Sequence, residues 1–193
     1  MILEVVNASN VSTPQWDRIE RFLIEHGADR IPHPGGTLLT HLKRVAGLLA
    51  DWDAATHIQV AGLCHATYGT DGFGQSLLDL ADRPILVHLI GEPAEALVYF
   101  YASCDRDAVY PRLADDKVLF RDRFTGGEEY ADPRELSAFM EITAANELDV
   151  MTQNPALAVQ HGAALHELFG RTRHHLSPRA WHDCHTQLPP VTR

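Results

Sequence analysis

The sequence predicts an all-α fold, a helical bundle with one small β-hairpin excursion. Three observations carry that prediction. Apolar residues recur at helical spacing along most of the chain, cap-and-proline pairs open the repeating segments, and β character is confined to one short stretch. The 193 residues suffice for one domain with a substantial core and do not call for two, and the whole chain, 1–193, is read as that single domain.

Residues 1–11 read as a short strand or a frayed start. Thr13-Pro14 then supplies an N-cap and a proline at the first helical position, with Trp16, Ile19, Phe22 and Leu23 at helical spacing, and Gly27 stops that helix. Residues 28–36 form a rigid loop, Ala-Asp-Arg-Ile-Pro-His33-Pro-Gly-Gly36, that feeds the next helix. Leu38, Leu42, Val45 and Leu49 make one stripe of it, and His41 aligns with Val45, Leu48 and Trp52, so its imidazole is expected to point inward.

A third helix is expected over Ala54–Ala66. Short helical pieces follow around Gln75–Asp82 and Pro84–Ile90, then an apolar helix over Pro93–Cys104. The pair Lys117–Phe124 and Glu128–Ala131, joined by Thr125-Gly126-Gly127, reads as the hairpin. Asp132-Pro133-Arg134-Glu135 is a capping box opening a long helix through Met151. Asn154-Pro155 opens another, ending near Gly170, and Ser177-Pro178 the last.

Composition narrows the function classes. A net charge of −10 argues against nucleic acid or an anionic membrane surface as partner, because both need a basic face. A small polar or phosphorylated molecule remains compatible. Cys64, Cys104 and Cys184 are odd in number and widely spaced, with no CxxC, which disfavours a disulfide framework and suits a reducing cytoplasm. The start has no signal-peptide pattern, and no segment reaches the length of apolar residues that spans a bilayer. A soluble cytoplasmic protein is the expectation.

Twelve histidines make His the residue type to follow. His41 and His65 lie 24 positions apart on consecutive apolar helices, where an unsatisfied imidazole is costly. Asp105 closes a further apolar helix. Two neutral imidazoles and a carboxylate are a common ligand set for iron, manganese or zinc. Alternatively, the histidines are core residues satisfied by backbone carbonyls, and Asp105 pairs with a nearby arginine.

The run His41-Leu-Lys-Arg-Val-Ala, then His65 after an apolar helix, then Cys104-Asp105-Arg106, resembles the HD-domain superfamily over roughly residues 33–150. Gly-Gly-Thr-Leu-Leu, His65-Ala-Thr-Tyr-Gly-Thr-Asp-Gly-Phe and Leu-Ile-Gly-Glu-Pro-Ala-Glu resemble, more closely, an HD-like family of about this length without a known activity. The resemblance implies a helical fold and a metal held by a His, a His-Asp pair and a distant Asp. It also implies chemistry that is mainly phosphohydrolytic, with a branch of diiron oxygenases. Here Ala66 stands where the pattern has its aspartate, leaving His41, His65 and Asp105 as the implied ligands of one divalent transition metal (Fe, Mn or Zn).

Three functions follow: hydrolysis of a small phosphoester or related molecule by metal-activated water, oxygenation at a two-His-one-carboxylate iron, or a small-ligand-binding module that has lost the chemistry. His33, Tyr68 and Asp71 are the candidate catalytic groups. Thr70, Arg106, Glu141 and Asn146 are the candidate ligand contacts. Gly69, Gly72 and Gly74 permit close backbone approach in the loop after His65, which lacks the ending of a P-loop. Glu141, Asn146 and Asp149 punctuate an apolar helix, where they would support ligands from behind. His57 reads as surface and His88 as core, while His174, His175, His182 and His185 read as a solvated tail group.

Overall fold

The computed structural model describes residues 14–188. It is all-α with two small two-stranded antiparallel sheets. Residues 1–11 and the Thr13 cap therefore lie outside the described residues.

The helices are α1 (Pro14–Glu25), α2 (Leu38–Asp51), α3 (Thr56–Cys64), α4 (Arg83–Ile90), α5 (Glu92–Ser103), α6 (Arg106–Val109), α7 (Pro133–Gln153), α8 (Pro155–Arg171) and α9 (Pro178–Gln187). Their starts follow local chemistry. The Asp132 carboxylate accepts from the amides of Arg134 and Glu135, Asn154 accepts from Ala156 and Leu157, and Ser177 accepts from Ala180. Each cap satisfies donors that the first helical turn leaves unpaired.

Helix α7 is the spine. It buries residues from Leu136 to Met151 and packs against α2, α3, α5, α8 and α9. Helix α2 lies across both α7 and α3, and α3 in turn packs on α5. Gly62 sets the α2–α3 approach, because a Cβ there would collide with the Leu49 side chain. That close crossing brings the His41 and His65 helices together.

The hairpin pairs Leu119–Arg121 with Glu128–Tyr130, Phe120 opposite Glu129. It is shorter than its sequence pattern. Asp122 bends the chain early, its carboxylate accepting from the amides of Phe124 and Thr125.

Two further differences have local causes. A second small hairpin, Pro32–His33 against Gly36–Thr37, occupies what reads as loop; Gly35 stands at φ +75° and Gly36 at φ +138°, backbone that glycine adopts without a Cβ penalty. The expected helical piece at Gln75–Asp82 shrinks to one 3-10 turn at Leu80–Asp82. The preceding chain is pinned there: the amides of Leu77 and Leu78 both donate to the Thr67 carbonyl, at 2.8 and 3.0 Å.

Candidate functional site

Three imidazoles meet where α2, α3 and the small hairpin converge. His41 is 1% exposed and His65 2%. Their ring centroids lie 5.3 Å apart, edge to face, and His33 stacks on the other side of His41 at 4.0 Å. Phe73 closes on His33 at 5.8 Å, and Tyr101 of α5 closes on His65 at 5.2 Å.

Each buried ring is aimed by an oxygen behind it. His65 Nδ1 donates to the Gly62 carbonyl at 2.7 Å. In the neutral ring that fixes the tautomer and leaves Nε2 with its lone pair. His41 Nδ1 meets Asp149 Oδ2 at 2.6 Å. Its Nε2 meets the Asn146 side-chain oxygen at 3.1 Å, and turning that amide over would present a donor to a lone pair instead. Burial lowers the pKa of His65 to about 3 and that of His33 to about 4, with the neighbouring His41 adding to both shifts. Both rings are thus neutral at pH 7, the state that binds metals.

Asp149 serves two partners. Beside His41 it is ion-paired with Arg44, whose Nη2 lies 2.9 Å from Oδ2 and whose Nε contacts Oδ1. Burial works against its charge, but the hydrogen bonds from His41 and Arg44 hold the carboxyl below the ordinary range.

A polar chain continues from His41. Asn146 donates to Glu147 at 3.2 Å, and Glu147 faces Arg106 Nη1 at 3.7 Å. Arg106 Nη2 then reaches the Tyr101 hydroxyl at 3.4 Å, and its guanidinium lies 5.9 Å from the Tyr101 ring and 5.6 Å from that of Tyr110. Tyr101 returns the chain to His65.

The expected site residues divide accordingly. His33, His41, His65, Asn146 and Arg106 belong to this assembly. Asp105 is engaged elsewhere: its carboxylate caps α6 by accepting from Ala108 at 3.2 Å and faces Arg121 at 3.5 Å. Asp71 accepts from the Arg106 amide at 2.9 Å, anchoring the glycine-bearing loop. Tyr68 is buried and donates to Glu95 at 2.8 Å; burial, then Glu95, raises its pKa far above neutrality, so it keeps its proton. Thr70 pairs with Phe73 in an isolated bridge, which holds the Phe73 backbone in place. Glu141 accepts from the Ser177 amide at the start of α9, and burial raises its pKa. His57 is exposed as expected, whereas His88, expected in the core, is also exposed.

Among the described residues, no three His, Cys, Asp or Glu side chains stand in a metal-holding group. The stacking of His33 on His41 keeps their donor atoms from facing one point. The donor set nevertheless suits a transition metal: His65 offers a free lone pair, and His33 Nδ1 is buried without a hydrogen-bond partner. No cavity-closing carboxylate is needed for this, since three imidazoles alone form a known zinc-binding set.

A family model described as a domain of unknown function, DUF6817, matches residues 22–106. The chain is similar to that family from the last turn of α1 to the start of α6, a span holding all three site histidines and Arg106. It stops short of Asn146, Glu147 and Asp149 on α7. No curated protein and no solved structure matches the chain.

No motif in the sequence singles out Arg44, Tyr101 or Glu147, and Asp149 reads there only as support for other groups. Asn146 and Asp149, three apart on an apolar helix, share a face. That spacing was the available signal.

Proposed function

We propose that His41, His65 and His33 hold one divalent transition metal and that the protein hydrolyses a small phosphoester or a related molecule. Kinship with the HD-domain superfamily is part of the same proposal. The observation that supports it best is the pair of oxygens behind the buried rings: the Gly62 carbonyl at His65 Nδ1 and the Asp149 carboxylate at His41 Nδ1. Metal-binding histidines typically donate their second N–H in this way, and the partner fixes both tautomer and aim.

A bound divalent metal supplies a Lewis acid and lowers the pKa of a water toward neutrality. The chain does the rest. His33 directly precedes a two-residue turn, and in this reading its ring swings off His41 to join the other two. Arg106, held between Tyr101 and Tyr110, presents a guanidinium to an anionic group of the substrate. Phe73 and Tyr101 bracket the cluster and keep bulk water from its two sides. The oxygenase alternative depends on a carboxylate ligand, and Asp105 is committed to Ala108 and Arg121; hydrolysis is therefore the preferred reading. No helix among the described residues is long and apolar enough to cross a membrane. A cytoplasmic location is proposed with the function, supported by three buried free cysteines.

Elemental analysis of the purified protein, with titration of zinc, manganese and iron into chelator-treated protein, tests this reading. One metal per chain is expected, lost in His41→Ala and His65→Ala while the helical circular dichroism persists. Turnover of a generic aryl phosphoester should track that metal. Protein that takes up none of the three ions refutes the reading and favours a binding module; iron uptake coupled to oxygen consumption favours the oxygenase.

A further inference from the structure

We infer that Arg44 is a positioning residue that latches the turn carrying His33 over the other two histidines. For its consequence the inference rests on the metal reading above; its test does not.

The geometry is a bridge made by one side chain. On one side, the Arg44 guanidinium holds the Asp149 carboxylate through Nε and Nη2. On the other, Nη2 donates to the Pro34 carbonyl at 3.0 Å and Nη1 to the Gly35 carbonyl at 3.3 Å. Those are the two residues of the turn immediately after His33. Apart from Arg44, the turn is held by the pairing of Pro32–His33 with Gly36–Thr37 and by the Gln153 side chain beside Gly35, and its glycines at positive φ have a wide choice of backbone conformations.

His33 needs such an anchor. Its Nδ1 is buried without a hydrogen-bond partner, and the backbone group that interacts with the ring, at Pro34, lies on the turn itself. Stacking on His41 and the edge of Phe73 remain, and both depend on where the turn sits. Asp149 thereby governs two of the three imidazoles: it aims His41 by direct contact and His33 at one remove, through Arg44. A lysine cannot replace this bridge. An ammonium is a point charge, whereas the planar fork reaches a carboxylate and two carbonyls at once.

Carbethoxylation of the metal-free protein, followed residue by residue by mass spectrometry, measures the latch. His57 and His88, both exposed, serve as internal references. In the wild type, His33 should react much more slowly than either. In Arg44→Ala its rate should approach theirs, and millimolar guanidinium should restore protection by refilling the gap. Arg44→Lys should behave like Arg44→Ala. In chelator-treated protein reloaded with Co2+, Arg44→Ala should bind the ion about 10–100-fold more weakly, the usual loss when a partner behind a ligand is removed.

An unchanged His33 rate in a folded Arg44→Ala overturns the inference. So does a rise shared equally by His41 and His65, which would mean general loosening. If Arg44→Ala fails to fold, Arg44→Lys carries the test, and wild-type protection of His33 in that variant overturns the inference. A wild type that binds no Co2+ refutes the metal reading, and the latch is then decided by His33 reactivity alone.

Discussion

Two glycines in neighbouring helices give opposite predictions for the same substitution. Gly47 lies in the interior of α2 on its exposed side, and a Cβ added there meets nothing within 4 Å. Gly47→Ala should therefore express only the helix-propensity gain, about 0.5–1 kcal/mol of added stability. Gly62 lies near the end of α3, where a Cβ runs into the Leu49 side chain, and Leu49 is fully buried. Forcing an extra carbon into a packed core costs about 1–3 kcal/mol. Set against a propensity gain of at most about 1 kcal/mol, Gly62→Ala should lose roughly 0–2 kcal/mol. At about 2–4 °C per kcal/mol for a chain of this size, Gly47→Ala raises the melting temperature by a few degrees and Gly62→Ala lowers it by a similar amount. Urea unfolding of the two variants and the wild type, with equal m-values, is the assay. A Gly62→Ala variant as stabilised as Gly47→Ala would refute the tight α2–α3 crossing, and with it the reason given for the 5.3 Å separation of His41 and His65.

Three further outcomes are expected. His65 titrates near 3 when folded against 6.5 in the free side chain, so the unfolded chain takes the proton first. Stability from this group is complete above pH 6.5 and falls toward pH 3; at pH 5 the metal-free protein should have lost about 2 kcal/mol, measurable by urea titration across that range. Glu141 has the opposite sign: burial raises its pKa, so its folded carboxyl loses stability as pH rises past the ordinary glutamate range. Glu141→Gln keeps an oxygen for the Ser177 amide and should be more stable than the wild type at pH 8, by urea unfolding, with the gain shrinking as the pH falls into the ordinary glutamate range. Asp132→Ala removes the acceptor for two amides of α7 and should cost about 1 kcal/mol, read as a lower melting temperature without loss of metal uptake.

The helices were legible because their signals are local. Asp132, Asn154 and Ser177 each precede a proline and each caps a helix as its spacing predicts. The inward aim of His41 followed from helical periodicity, and the meeting of His41 with His65 from consecutive helices. The partner of His41 was not legible in that way, since Asp149 lies 108 residues away and only the packing of α2 on α7 brings it in. Asp105 shows the converse. An acid ending an apolar helix looked available, but the amide three residues on was a nearer partner, and short side chains readily take such local bonds. The small hairpin around His33 had a signal in Pro34-Gly35, a pair that suits the middle of a tight turn.

Main-chain bonds make up part of the attachment of the hairpin to the α5–α6 corner. The Asp105 amide donates to the Arg121 carbonyl at 3.1 Å, the Arg123 amide to the Ser103 carbonyl at 2.7 Å, and Cys104 pairs with Asp122 as an isolated bridge. That part of the attachment does not depend on which side chains the joined residues carry. Outward positions such as Glu128, Glu129 and Tyr130, all exposed, can therefore exchange freely while the hairpin keeps its place on the bundle. The histidine cluster has no such freedom, because every bond that aims its rings except the Gly62 carbonyl runs through a particular side chain. Substitutions should accumulate unevenly over this molecule, quickly on the hairpin face and slowly along the line from Arg44 through Asp149 to His41.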